Sequence, residues 1–410
     1  MQIIRNLNQI VTLKQAFKKE GRRLNPQDLG IIDKASIVMD NEKVIWIGKD
    51  SDFPEKYKGA PSKNGEGFIL TPGIADSHTH LVFGGDRAFE YTMRLNGADY
   101  EDIGKSGGGI LSTMKATLES STEKLYNDAK KRIETIYSYG VRAIEIKSGY
   151  ALTFDKEKEI TLIINRLKEN FSQRIIIHNT FMAAHAIPSN FKSSSEYIND
   201  IVIPLLDDHD VSNAIDSVDI FHESGYFSQE DVEVLFKYCQ KKSLNVRIHA
   251  DEFNDNKGAI LASKYQALSA DHLLCTNEDG ILALANSNTV ATVLPGTAFF
   301  LGKKLANARG MLDAGCRVAI ASDYNPGSSH CDNLILIASI AAKSMSFNIA
   351  ELWAAITLNA YKSLNIKNAG YLSINSRAIV TLFEAKSIDE ITYKWGHNLS
   401  RDLSNLPPFD

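Results

Sequence analysis

The chain has 410 residues, 44% of them hydrophobic, with 45 basic and 50 acidic side chains and a formal net charge of -5. That is enough apolar material for a large core, and the balanced, scattered charge excludes the electrostatic footprint of a nucleic-acid or anionic-membrane binder, leaving a small molecule as the expected partner. Cys239, Cys275, Cys316 and Cys331 lie far apart without C-x-x-C spacing, which excludes a disulfide framework and a structural zinc knot and fits a reducing compartment.

The opening MQIIRNLN lacks a basic region followed by a long apolar core, and no uncharged apolar run reaches about 18 residues, so a cytoplasmic, soluble protein is expected. Over residues 1–67, short β-like runs at 35–39 and 43–48 are separated by Asp-Asn, Gly and Pro signals and predict a small antiparallel sheet. From Phe68 onward the rhythm changes, and apolar β runs alternate with longer amphipathic segments such as 122–139 and 229–241. Eight such runs occur, at 68–75, 141–147, 174–182, 217–221, 245–249, 267–272, 289–294 and 316–322. Eight βα units predict an α/β fold, a (β/α)8 TIM barrel over 68–364. A helical region at 333–364 precedes a β-like tail whose clearest strand is 378–383. Segments 1–67 and 365–410 are each too small for a core, so they are expected to pack together as a composite β-sandwich domain.

Barrel enzymes carry their chemistry at the C-terminal ends of the strands. Here those positions hold His78 and His80 after the first run, KSGY with Tyr150 after the second, His185 after the third and His222-Glu223 after the fourth. The fifth ends in IHADE with His249 and Glu252, the sixth in ADH with His272 and the eighth in SDYNPGSS with Asp323, while the seventh offers no titratable group. His78 and His80 are two apart at a strand end, a spacing that points both imidazoles to one side. Four His and Asp ligands suit Zn²⁺ or iron. His209, His330 and His397 read as ordinary surface or packing residues.

His78-Thr-His80, His249, His272 and Asp323, in that order, resemble the signature of the amidohydrolase superfamily over nearly the full length. Within it, the segments HTHLVFGGDRAFEYTMRLNGADY (78–100), SGGGI (106–110), EIKSGYAL (145–152), AAHAIP (183–188), IHADEF (248–253), SADHL (269–273), LPGTAFFLG (294–302) and SDYNPGSS (322–329) are most similar to the cyclic amidohydrolases of histidine degradation. The resemblance implies one Zn²⁺ or Fe³⁺ per chain, held by His78, His80, His249 and Asp323. No lysine stands on the fourth strand to bridge a second metal. It also implies ring opening of 4-imidazolone-5-propanoate to N-formimino-L-glutamate, with His272 as general base, Asp323 as proton shuttle and Glu252 bonded to the ring nitrogen. Arg87 would clamp the substrate carboxylate with Tyr150 and Ser328, His185 would contact the ring, and Asn325 and Gly327 would hold the other end. A homodimer is the family's expectation.

The chain departs from that pattern at Ala151, where glycine is common, and at His222, where cysteine is more usual and where an extra imidazole is expected to alter the metal's surroundings. The tail AGYLSINSRAIVTLFEA also lacks the customary Gly-Lys-x-Ala-Asp lead. The glycines at 107–109 are not followed by Gly-Lys-Ser/Thr, so a phosphate loop is declined in favour of close backbone approach at the barrel mouth. Glu145, Lys147 and Glu223 fit either substrate contacts or structural ion pairs. Two other functions share part of this evidence: an aromatic deaminase of the same superfamily, which the carboxylate clamp would distinguish, and a non-catalytic scaffold barrel, which would be expected to lose metal ligands.

Overall fold

Two sheets organise the chain in the computed structural model, which describes residues 1–98 and 107–409. Residues 99–106 and 410 lie outside the described residues, and with them the last two positions of the 78–100 motif and Ser106 of the 106–110 motif. Strands β1 (Gln2–Val11), β2 (Ile31–Asp40), β3 (Lys43–Lys49), β4 (Lys63–Asn64) and β5 (Phe68–Pro72) join two strands from the tail in a seven-stranded sheet. Ile4, Leu7, Ile10, Ile37, Met39, Leu70 and Leu382 are among the side chains that give this sheet a core of its own.

The barrel is built from β6 (Ile74–Asp76), β7 (Val141–Lys147), β8 (Ile176–Ala184), β9 (Ser217–His222), β10 (Asn245–Val246), β11 (Ile248–Ala250), β12 (Ser269–His272), β13 (Val290–Val293) and β14 (Arg317–Ile320). They pair in parallel in the order β14-β13-β12-β11-β9-β8-β7-β6, with β10 alongside β9. Helices such as Thr122–Ser138, Phe154–Phe171 and Gln229–Lys241 turn apolar faces inward, and Leu125, Ile133, Ile164, Leu167, Leu235 and Phe236 enter the main core. Strands β15 (Val380–Glu384) and β16 (Ser400–Arg401) complete the other sheet, β15 pairing with β5.

Two sequence expectations need correction. The run at 68–75 is not one barrel strand: Phe68–Pro72 pairs with β1 and β15, and only Ile74–Asp76 enters the barrel. The break falls at Gly73, where a Cβ would meet Ile379 Cγ2 at 2.7 Å and Arg142 Cβ at 2.9 Å, so the crossing between sheets needs a residue without a side chain. The run at 245–249 is divided at Arg247 into two short ladders, one on β9 alone and one between β9 and β12.

The barrel closes between its first and last strands at the chemically interesting end. Ser322 donates its N–H to Asp76 Oδ1 (3.0 Å) and its hydroxyl to Asp76 Oδ2 (2.6 Å). Just beyond, Asp323 N donates to His78 O (3.0 Å) and His80 N to Tyr324 O (2.9 Å).

Candidate metal centre and active site

The seam fixes where the first pair of imidazoles stands. His78 and His80 flank Thr79, whose backbone bridges to Tyr324, and both rings are buried. β11 brings in His249, so that one ring nitrogen from each of His78, His80 and His249 falls within 4.8 Å of the others. Asp323 Oδ1 lies 3.5 Å from His78 Nε2 and 3.7 Å from His80 Nε2. Asp323 and His272 both have backbone φ in the left-handed region, at 51° and 77°. Non-glycine residues hold such angles only where their surroundings enforce them.

The tautomers follow from what lies beneath. His78 Nδ1 is 2.8 Å from Asp271 Oδ2 and His249 Nδ1 is 3.2 Å from Asp219 Oδ1. A carboxylate accepts, so each Nδ1 carries the proton and each Nε2 keeps its lone pair. His78 Nε2 is buried without a hydrogen-bond partner among the described residues, and His249 Nε2 lies 3.2 Å from His80 Nε2. Burial, reinforced at His78 and His249 by Lys147 and at His80 by His185, pushes all three imidazoles well below the usual range, so they are neutral. Two lone pairs fixed by their carboxylates, a third neutral imidazole converging on them and a neighbouring carboxylate are a donor set that suits a cation such as Zn²⁺ or iron.

The two carboxylates are themselves held in a buried ionic cluster. Lys147 Nζ sits 2.7 Å from both Glu145 Oε1 and Asp219 Oδ2, and Arg247 contacts Glu145 (2.9 Å) and Asp271 (3.4 Å) while donating to the Ser77 carbonyl (2.8 Å). Burial opposes ionisation of Asp271, but Arg247 and Lys147 hold it below the usual carboxylate range; burial dominates at Glu145 and raises it. Removing one member of such a cluster strands a charge, at a cost of about 3–5 kcal/mol.

Above the imidazoles stand the remaining side chains. His272 faces His249 with ring centroids 5.1 Å apart, and burial pushes it down to about 4. Glu252 Oε1 lies 3.7 Å from His272 Nδ1, and burial, then Asp323 and Glu223, raise its carboxyl well above the usual value. A neutral imidazole therefore stands beside a carboxyl whose burial favours the protonated form, the pairing of a base with an acid. Burial also pushes Asp323 up to about 7, and Thr297 donates to its Oδ2 at 2.5 Å. His185 stacks on His80 at 5.0 Å and donates from Nδ1 to the Gly149 carbonyl (3.0 Å). Tyr150 packs against both rings, at 5.9 Å from His80 and 5.4 Å from His185.

Arg87 enters from the start of helix Ala88–Leu95, oriented by Glu90, which takes its Nε–H at 2.8 Å. Glu90 also accepts from Gly109 N (2.8 Å) and Ser112 Oγ (3.2 Å). The guanidinium lies so close to Gly327 that a Cβ there would overlap it. Asn325 closes the same loop, taking the N–H groups of Gly327 and Ser328 (both 2.8 Å) and donating to Ser328 Oγ (2.9 Å).

With this geometry in view, residues 69–404 match the model of the Amidohydrolase family. The chain belongs to the amidohydrolase family. It is 37% identical over 371 residues, 90% of this chain and 92% of the relative, to the imidazolonepropionase of Paracoccus denitrificans. It is 35% identical over 398 residues, 97% and 94% respectively, to that of Staphylococcus aureus. In fold it is similar to a guanine deaminase from C. acetobutylicum solved with bound guanine, with a TM-score of 0.65 at 16% identity over 93% of this chain and 90% of that one. Amidohydrolases are metal-dependent hydrolases of carbon–nitrogen bonds, which suits the donor set described above.

Sequence reasoning brought together the imidazoles, Asp323 and the mouth residues, but it missed Asp219, Asp271, Arg247 and Thr297. Glu145 and Lys147 alternate along β7, and Asp219 and Asp271 occupy fully buried barrel strands; that pattern of interior charges was the available signal. Two expectations are corrected. His222 does not touch the imidazole cluster: its nitrogens face the carbonyls of Phe227 (2.9 Å) and Asn256 (3.1 Å), while Asp219 and Asp271 fill the place expected of it. Among the described residues nothing lies within 4 Å of where a Cβ would stand on Gly107 or Gly109, so the expected close approach is not seen there; both have positive φ, 79° and 82°.

Proposed function

We propose that the protein is a hydrolase that opens the ring of 4-imidazolone-5-propanoate with water, giving N-formimino-L-glutamate in histidine degradation. The observation that carries this reading is the likeness, along 90% of the chain, to a curated imidazolonepropionase. His78, His80, His249 and Asp323 would hold one Zn²⁺ or Fe³⁺. Such an ion supplies Lewis acidity and lowers the pKa of a bound water from about 15.7 to about 7.

The protein's own groups complete the chemistry. His272, neutral at physiological pH, takes a proton from the attacking water as the new carbon–oxygen bond forms at the ring carbonyl. Glu252 donates a proton to the ring nitrogen as the carbon–nitrogen bond breaks, so that nitrogen leaves as part of an uncharged formimino group, and Asp323 relays the proton taken from water to replace the one Glu252 gave. Arg87 receives the propionate bidentately, with Tyr150 and Ser328 beside it, which fixes the ring's orientation as well as its charge. His185 presents its Nε2 to the ring, and Asn325 with Gly327 shapes the loop that closes over the substrate. A cytoplasmic homodimer acting on this small molecule, without nucleic acid or membrane, belongs to the same reading and is checked by sedimentation of the native protein.

The deciding experiment incubates purified protein with freshly made imidazolone propionate, guanine and cytosine in separate reactions. Loss of the imidazolone absorbance with appearance of formiminoglutamate is expected; turnover confined to guanine or cytosine would replace this reading with a deaminase.

A further inference from the structure

The end of β9 carries neither a metal ligand nor a reacting group in the scheme above, yet its two polar residues are buried, His222 at 5% and Glu223 at 3% exposure. Both ring nitrogens of His222 face carbonyl oxygens, those of Phe227 at 2.9 Å and Asn256 at 3.1 Å. A carbonyl only accepts, so the ring N–H is the donor, and the imidazole lies between the two carbonyls and links their segments. Glu223 takes the N–H groups of Phe253 (2.8 Å) and Asn254 (3.2 Å) on Oε2, and the side-chain amides of Asn254 (3.0 Å) and Asn256 (2.5 Å) on Oε1. Ser224 N, at 2.8 Å from Oε1, fixes the carboxylate from its own strand end.

These bonds converge on residues 253–256, which directly follow Glu252. The preceding residue is tied as well: Asp251 accepts from Gly258 N (2.8 Å), Ala259 N (3.2 Å) and Thr276 Oγ1 (2.8 Å). Glu252, at 3.7 Å from His272 Nδ1, is too far to be anchored by that imidazole, so its flanks decide where its carboxyl stands. The geometry points to His222 and Glu223 as positioning residues for Glu252: they pin the 253–256 segment and so hold that carboxyl over His272. Displacement of a reacting group by about 1 Å can lower a rate about 100-fold, which makes such a clamp consequential. The inference rests on the role given to Glu252 under the proposed function.

The test compares wild type with His222→Phe, Glu223→Gln and Glu252→Gln in the metal-loaded protein. It measures metal content, kcat and KM for the imidazolone, and amide hydrogen exchange over residues 251–257 by mass spectrometry. His222→Phe and Glu223→Gln are expected to lower kcat by about 10-fold or more with KM changed less than about 3-fold, to leave metal content intact and to speed exchange at Phe253 and Asn254. His222→Gln, whose amide supplies two N–H donors, is expected to recover part of the exchange protection and of kcat. If either core variant fails to fold, Asn256→Ala removes the amide contact from the loop side and should give the same signature in weaker form. Exchange that quickens with kcat unchanged, or kcat that falls with exchange unchanged, would overturn the clamp. Glu252→Gln separates the two layers: it should lose kcat while 253–256 stays protected, and full activity in that variant refutes the role of Glu252 itself.

Discussion

At His78 and His249 a single acceptor decides which ring nitrogen is available. Asp271→Asn keeps the size of the carboxylate that holds His78 but removes its charge, and metal affinity is expected to fall about 10- to 100-fold in a chelator competition; an unchanged affinity would show that the imidazole needs no such partner. The substrate side divides differently. Arg87→Ala should raise KM and lower kcat/KM by about 10- to 100-fold, the loss of a charge-assisted pair, whereas His272→Ala should act mainly on kcat. Gly327→Ala offers an independent check, because its methyl overlaps the Arg87 guanidinium; its KM should rise as in Arg87→Ala. The imidazoles and Asp323 were legible because strand ends are readable from apolar runs and the runs that carry them end on a titratable residue. Asp219 and Asp271 were not, since whether an interior carboxylate meets a given imidazole depends on the stagger between strands, which no local pattern records.

For the elements, β-run rhythm located the barrel strands to within a few residues except the first, and the fifth run proved to be two strands, while Gln229–Lys241 matched its predicted helix at both ends. There Ser228 and Asp231 form a capping box, so the boundary is written in the side chains. The sheet change at Gly73 was invisible, because nothing in FILTPGIAD announces that its two halves pair with different partners. The crowding there makes a prediction. Gly73→Ala should destabilise the fold by about 1–3 kcal/mol through overpacking against Ile379 and Arg142, read as a lower urea midpoint at constant slope. A midpoint equal to wild type would mean that the two sheets can part slightly without loss.

On the scale of the whole molecule, pH reaches the smaller sheet through an ion pair outside the candidate site. There Asp50 accepts from Arg5 Nε (2.6 Å) and Nη2 (2.8 Å), and this pair holds the carboxyl below its usual range. A depressed carboxyl contributes stability that is present above the unfolded value of 3.8 and is lost as pH falls through the lower folded value. Asp50→Asn should therefore be about 1 kcal/mol less stable than wild type at neutral pH, with the gap closing in strong acid. Chelation should abolish ring opening and lower the melting temperature, since an ion at about 100 times its Kd adds about 2.7 kcal/mol to the folded state. Elemental analysis of the native protein distinguishes zinc from iron and should return close to one ion per chain.

The seam where Asp323 N meets the His78 carbonyl joins residues 245 positions apart in the chain. A ribosome must release almost the entire barrel before Asp323 can join the three imidazoles at the proposed metal site. The full donor set thus exists only once the first barrel strand and the last have found each other.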